Sequence, residues 1–218
     1  MNYQAARYNM VEQQVRPWDV LDNRVLEALY QIPKELFVPQ KFKDLAFADV
    51  ILPVGKHNFI LPTKQIARML QELSLSTAHR VLEIGTGSGY TTALLAKLAG
   101  EVVTVDYYKK NLNISEEILI SELKFKNINF VFSDPLLGSE DLAPFDAIII
   151  NGSIERIPQR LSQQLAIGGS LIAIIGEAPV MRATKFSRLN QESWSQVNLF
   201  ETFAPPLSND YAQKNFKF

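Results

Sequence analysis

Polar positions dominate residues 3–15, which read as a helix that ends before Pro17. Asp22 is placed to cap a second helix, NRVLEALYQI, in which Val25, Leu26, Leu29 and Tyr30 recur at helical spacing. Pro33 and Pro39 interrupt that pattern, and residues 39–62 read as loop with short strands at most. Thr63 is placed to cap a helix over 64–74, with Ile66, Met69, Leu70 and Leu73 as its apolar stripe. From residue 80 the period changes. RVLEI is a short apolar run closing on glycines, YTTALLAKLA is helical, EVVTVD is a second strand, and residues 108–123 form another helix. INFVFSD and FDAIIIN follow as strands, IPQRLSQQLAI as a helix with Pro near its start, and GSLIAIIG as a fifth strand. Short apolar strands alternating with helices predict an α/β fold with a parallel sheet covered on both faces and right-handed crossovers. SWSQVNLFETFAPPL and KNFKF alternate as strands added at a sheet edge do.

Composition narrows the picture. A chain of 218 residues with 47% apolar residues can build one α/β domain with a real core. We expect a single domain over 1–218: an N-terminal helical and loop extension (1–77), a ligand-binding core (78–178) and C-terminal strands (179–218). Charged residues make up 21% and nearly cancel, leaving a formal charge of -1, so nothing suggests a nucleic-acid-coating surface. The chain has no cysteine, which excludes disulfides, a thiol nucleophile and a cysteine zinc site. The polar start MNYQAARYNMVEQQVRP has no apolar h-region, and no run of about 18 apolar residues occurs, so neither a secretory signal nor a membrane span is expected. These features point to a cytoplasmic protein.

The candidate chemistry sits at the strand ends. VLEIGTGSGY carries Glu83 two positions before Gly85, then Thr86, Gly87, Ser88 and Gly89. The spacing is G-x-G-x-G rather than the G-x-G-x-x-G of most dinucleotide folds. The helix N-terminus that follows favours an anionic group such as a carboxylate, while Glu83 would place a negative charge beside a cation. A zwitterionic amino-acid moiety fits that pair better than a pyrophosphate. The second strand ends in Asp106, 21 residues after Gly85, where a carboxylate can accept from both hydroxyls of a ribose. The third ends in Ser133 and Asp134, the latter placed to accept from an adenine amino group. Acids at the carboxyl ends of consecutive strands, in this order, specify S-adenosyl-L-methionine, with S-adenosyl-L-homocysteine as product. Simpler roles exist for each: a tight turn for the glycines, a helix cap for Asp106, and a cap or turn before Pro135 for Asp134.

Beyond the glycine turn, MVEQQVRP (10–17), VLEALYQIPKELFVP (25–39), ADVILPVG (48–55), VLEIGTGSGYTTALLAKLA (81–99), PFDAIIINGSIERIP (144–158) and QLAIGGSLIAIIG (164–176) resemble, in register, the protein-L-isoaspartate O-methyltransferases. The resemblance covers roughly residues 5–180, and its N-terminal pieces are the more specific ones. It implies a Rossmann-like S-adenosylmethionine-dependent methyltransferase fold, with an N-terminal helical extension and C-terminal edge strands over the cleft. It also implies methyl transfer to the misplaced α-carboxylate of isoaspartyl residues in damaged proteins. The ester then collapses to a succinimide, which can reopen to aspartate. Such a site needs no general base, because a carboxylate is already anionic at neutral pH.

The resemblance has gaps in the substrate loop. Where the family carries G-Q-T-I-S-Q-P, this chain has His57-Asn58-Phe59-Ile60-Leu61-Pro62-Thr63, and the active-site Ser position falls on Leu61. Leucine cannot donate to a carboxylate, and one lost donor can cost about 10²-fold in rate. Asn58, Thr63 and His57 are the nearby polar candidates for a substitute. Pro135 replaces the usual Gly after Asp134, and Asn151-Gly152-Ser153 replaces T-A-A after the fourth strand, with Asn151 grouped with the cofactor residues. No metal site is expected, since His57 has no second ligand at suitable spacing. Phe59, Trp18 and Trp194 read most simply as packing aromatics. Two further readings stay open: a methyltransferase with another protein or small-molecule acceptor, and a cofactor-binding module without turnover.

Overall fold

The computed structural model describes residues 2–55 and 58–207. Asn2 caps helix α1 (Tyr3–Met10), accepting from the Ala5 N–H at 3.1 Å. The helical path then continues as a π turn (Val11–Val15) and a 3-10 turn (Arg16–Trp18). Pro17 therefore lies inside the helical path, at the start of its closing 3-10 turn, where a missing N–H costs little, rather than beyond its end. Left-handed Asp19 stops the run. Asp22 caps α2 (Asn23–Gln31) as expected, and this helix buries Val25, Leu26 and Leu29.

Residues 39–62 hold a small antiparallel hairpin, β1 (Leu52–Gly55) with β2 (Asn58–Ile60). Helix α3 (Thr63–Leu73) begins on Pro62, not on a Thr63 cap. Thr63 turns its hydroxyl to Lys34 instead, so an interior demand overrides the cap that its sequence position offered. Next come β3 (Arg80–Ile84), α4 (Tyr90–Leu98), β4 (Glu101–Asp106), α5 (Lys109–Glu116) with a π continuation through Glu122, and β5 (Ile128–Phe132). The chain closes with β6 (Phe145–Ile154), α6 (Gln159–Ser162), β7 (Leu165–Glu177), β8 (Val180–Arg188) and β9 (Trp194–Thr202).

The expected 157–167 helix shrinks to the four residues of α6, because Leu165 already pairs with Phe145 as β7 begins. Strand β8 escapes a pattern reading. Its buried Met181 and Ala183 give way to half-buried positions, so the alternation is weak. The KNFKF tail and His57 lie outside the described residues.

The seven strands run in the order β5-β4-β3-β6-β7-β8-β9. The first five are parallel; β8 and β9 add antiparallel at one edge, so the SWSQVNLFETFAPPL stretch supplies the expected edge strand as β9, beside a β8 that its pattern did not announce. Both faces are covered. Val81, Val102, Ile149 and Ile172 point to the side packed by the N-terminal helices and α3, whereas Leu82, Val103, Ile148 and Leu171 point to the other. Burial on both faces explains why these strands read as unbroken apolar runs. Ile84 is level with Val105 of β4 and Ile150 of β6, so the carboxyl ends of the central strands open along one line. The chain leaves β3 toward β4 on one side and returns to β6 on the other, and open α/β sheets bind ligands at such a reversal.

Candidate functional site

The turn after β3 builds the floor. Gly85 and Gly87 take φ of +87° and +56°, a region that side chains disfavour. A Cβ on Gly87 would stand 2.8 Å from Asn58 Oδ1, and one on Gly85 would stand 2.8 Å from a Leu207 methyl. The backbone here is thus left bare in a crowded place. The Gly87 N–H donates to Asp106 Oδ2 at 3.0 Å, locking the turn to the end of β4.

Glu83 lies beneath this turn with no exposed surface. Thr92 and Thr104 hydroxyls donate to its Oε2 at 2.5 and 2.6 Å, and Asn151 Nδ2 donates to its Oε1 at 2.7 Å. Burial pushes the carboxyl up to about 7, a rise that the Thr104, Thr92 and Asn151 hydrogen bonds only partly offset. Glu83 therefore sits on the edge of ionisation at neutral pH, and a cation placed nearby would tip it to the charged form. It would act from below the turn: Glu83 itself is not part of the cavity wall.

Asp106 is 5% exposed. It accepts from the Gly87 N–H, from the Tyr108 N–H at 2.7 Å, and from Asn111 Nδ2 at 3.3 Å to each oxygen. Burial raises its pKa, opposed by those donors. The simpler helix-cap role is partly present in the Tyr108 contact, but a cap would not require this depth. Asp134 is exposed and does cap the short turn Pro135–Leu137, accepting from Leu136 N–H at 3.0 Å.

One cavity of about 470 Å³ gathers these parts. Its wall includes the sequence candidates Gly85, Thr86, Gly87 and Ser88, together with Asp106, Asp134 and Asn151. Gly89 and Ser133 are not in the wall; Ser133 instead donates its N–H to the Asp106 carbonyl at 3.3 Å. From the substrate loop, Asn58 and Leu61 face the cavity, whereas Thr63 does not. Thr63 Oγ1 accepts from the fully buried Lys34 Nζ at 2.9 Å, which removes it as a stand-in for the missing hydroxyl. Leu61 is 3% exposed and joins the N-terminal core as well as the cavity wall.

Several wall residues carry little or no sequence signal. Tyr107 and Tyr108 follow Asp106 directly and meet edge to face at 5.6 Å, a signal visible as paired aromatics after a strand-end acid. Asn111 lies one turn further on. Leu207 reaches the turn only because the chain returns after β9, where its N–H donates to the Ser153 carbonyl at 3.0 Å. No local pattern announces that contact.

A mostly parallel seven-stranded sheet with a glycine turn and buried acids at its strand ends defines the class: a Rossmann-like methyltransferase fold. Comparison with known proteins narrows it. The chain belongs to the protein-L-isoaspartate(D-aspartate) O-methyltransferase family, whose model matches residues 6–210. It is 38% identical over 188 residues to a protein-L-isoaspartate O-methyltransferase of Geobacter metallireducens, covering 85% of this chain and 87% of the relative. It is 41% identical over 177 residues to protein-L-isoaspartate O-methyltransferase 1 of Syntrophobacter fumaroxidans, covering 81% and 82%. A solved structure described as a Plasmodium falciparum protein of this kind, in complex with S-adenosyl-L-homocysteine, superposes with a TM-score of 0.79 at 21% identity. That overlap covers 95% of this chain and 99% of the other, and supports the fold.

Proposed function

We propose that this protein is an S-adenosyl-L-methionine-dependent methyltransferase acting on the α-carboxylate of isoaspartyl residues in damaged proteins. The observation that carries the reading is the reach of the family match. It runs from residue 6 to 210 and so includes the N-terminal extension and the acceptor hairpin as well as the glycine turn. Protein or peptide chains bearing isoaspartate are the proposed partners. The proposed compartment is the cytoplasm, consistent with a chain free of cysteine. Among the described residues no helix is long and apolar enough to cross a membrane.

The residues present fit the cofactor. Gly85 and Gly87 line the cavity with positive-φ backbone, and the N-terminus of α4 suits a carboxylate. Glu83, relayed through Asn151, supplies negative potential for an ammonium group. Ribose hydroxyls would share the Asp106 lone pairs with Asn111, and Asp134, in the same wall, is the proposed acceptor for an adenine amino group. When bound, the cofactor supplies an electrophilic methyl on a sulfonium. The chain's own contribution is placement and dryness. Phe59, Ile60, Leu61 and Leu207 wall the cavity with apolar surface that excludes water. The substrate carboxylate arrives ionised, so no side chain has to remove a proton.

One feature favours a second acceptor. Leu61 presents no donor where a carboxylate would be received, and Thr63 is committed to Lys34. A scaffold of this kind with a less polar acceptor is therefore the alternative, and a cofactor-binding module without turnover is the third reading. The test is incubation with methyl-labelled S-adenosylmethionine and a matched pair of isoaspartyl and aspartyl peptides. Base-labile label on the isoaspartyl peptide alone is expected. Cofactor binding with no ester on either peptide would overturn the proposal.

A further inference from the structure

We infer that Asn111 and Asn58 form a two-amide bridge that positions the Asp106 carboxylate for the ribose and ties it to the acceptor hairpin. The inference rests on the cofactor reading above and concerns residues outside the glycine turn.

The contacts fix the orientation of both amides. Asp106 offers only acceptors when ionised, so Asn111 must turn Nδ2 toward it, at 3.3 Å from each oxygen. Asn111 Oδ1 then faces away and accepts from Asn58 Nδ2 at 3.5 Å. That leaves Asn58 Oδ1 over the turn, 2.8 Å from where a Cβ on Gly87 would stand. The Gly87 N–H in turn donates back to Asp106. Three other segments thus connect to the Asp106 carboxylate of β4: Asn111 of α5 and Gly87 of the turn directly, and Asn58 of the hairpin strand β2 through Asn111.

The bridge also divides space. Asn58 and Asn111, together with Gly87, Ser88 and Tyr108, line both the 470 Å³ cavity and a second cavity of about 370 Å³ bounded by apolar residues such as Phe37, Val54 and Ile118. The weakest link of the partition is the long Asn58–Asn111 contact. Ribose hydroxyls donating to Asp106 would share its lone pairs with Asn111, so a ligand on the carboxylate is felt at the amide pair. Through Asn58 it is then felt at the strand that leads to Leu61. Such coupling is reciprocal: an acceptor that orders the hairpin would tighten the cofactor by the same factor. Asn58 therefore serves the cofactor side of the site. It does not take the place of the missing hydroxyl.

The experiment is titration calorimetry with S-adenosyl-L-homocysteine on the parent, Asn111→Leu, Asn58→Ala and the double variant. Loss of a hydrogen bond to a charged group predicts about tenfold weaker binding for Asn111→Leu and a smaller loss for Asn58→Ala. Because the amides act in series, the double variant should bind no more weakly than Asn111→Leu alone. In turnover assays KM for S-adenosylmethionine should rise while kcat at saturation holds within about twofold, a split that general destabilisation would not produce. A double variant whose losses add contradicts the bridge. If Asn111→Leu does not fold, Asn58→Ala decides, and an affinity equal to the parent's overturns the inference. A parent that fails to bind the probe overturns the cofactor reading and this one with it. A parent that binds while both variants match it overturns this one alone.

Discussion

Asn151 stands between Glu83 and the glycine turn, its Nδ2 donating to Glu83 Oε1 at 2.7 Å and to the Gly85 carbonyl at 3.0 Å. A buried acid is thereby linked to the backbone that faces the cavity. Since burial holds Glu83 near 7, cofactor affinity should carry a pH signature. A bound ammonium favours the ionised acid, so the protonated fraction present below about pH 7 has to lose its proton on binding. Affinity for S-adenosyl-L-homocysteine should therefore fall as pH drops from about 7 to about 5.5, by at most about tenfold per unit. Glu83→Gln should bind more weakly at about pH 8 and show a flat profile. Calorimetry across this range checks both; an unchanged slope in Glu83→Gln would assign the titration elsewhere.

Asp106→Ala removes the acceptor proposed for the ribose and releases the Gly87 and Tyr108 N–H groups. Charged hydrogen bonds contribute about 1.5–3 kcal/mol each, so affinity for S-adenosyl-L-homocysteine should drop by about 100-fold or more. Binding within about threefold of the parent would show that Asp106 is structural only.

Leu61→Ser introduces at this position the hydroxyl that the family resemblance places there. With the loop on its present course, the rate on an isoaspartyl peptide should rise by about tenfold or more. The same change removes a 3%-exposed core side chain. It should cost about 2–4 kcal/mol of stability. A lower melting temperature with no gain in rate would mean that acceptor recognition has moved away from this position.

Lys34 gives a separate prediction about folding. Its ammonium is fully buried, bonded to Thr63 and 5.7 Å from the centre of the Tyr90 ring, and burial lowers its pKa to about 7. Asp49 opposes the shift, and the Arg7–Glu35 ion pair at 2.6 Å occupies the neighbouring turn. The unfolded lysine binds its proton up to about pH 10.4. Between about pH 7 and about pH 10 the unfolded state thus holds more protons, so this group makes the fold more stable as pH rises. Denaturant unfolding of Lys34→Met should lack that rise, which in the parent amounts to a few kcal/mol (on the order of 1.4 per pH unit) between about pH 7 and about pH 9.5. Parallel profiles for the two proteins would show that Lys34 stays charged in the fold.

The sheet was legible because its central strands β3, β4, β6 and β7 are buried on both faces, which leaves mostly apolar runs such as RVLEI and FDAIIIN. The glycine turn and Asp106 were legible because the positive φ of Gly85, Gly87 and Gly89 and a strand-end acid constrain residue type locally. What escaped depends on distant chain. Thr63 looks like a cap until Lys34 arrives from 29 positions away. Leu207 meets Gly85 only through the return after β9, and the Asn58–Asn111 contact joins segments that share no pattern. Strand β8 lacks a strong alternation because its second half is only partly buried.

The most direct test of the central claim follows repair rather than methylation. A peptide with one isoaspartyl residue is incubated with the protein and excess S-adenosylmethionine, and its isomers are resolved by chromatography over repeated turnover. The account predicts steady conversion of the isoaspartyl form to the aspartyl form through the succinimide, dependent on cofactor and lost in Asp106→Ala. A protein that binds the cofactor and methylates some other acceptor, yet leaves the isoaspartyl peptide unchanged, would contradict it.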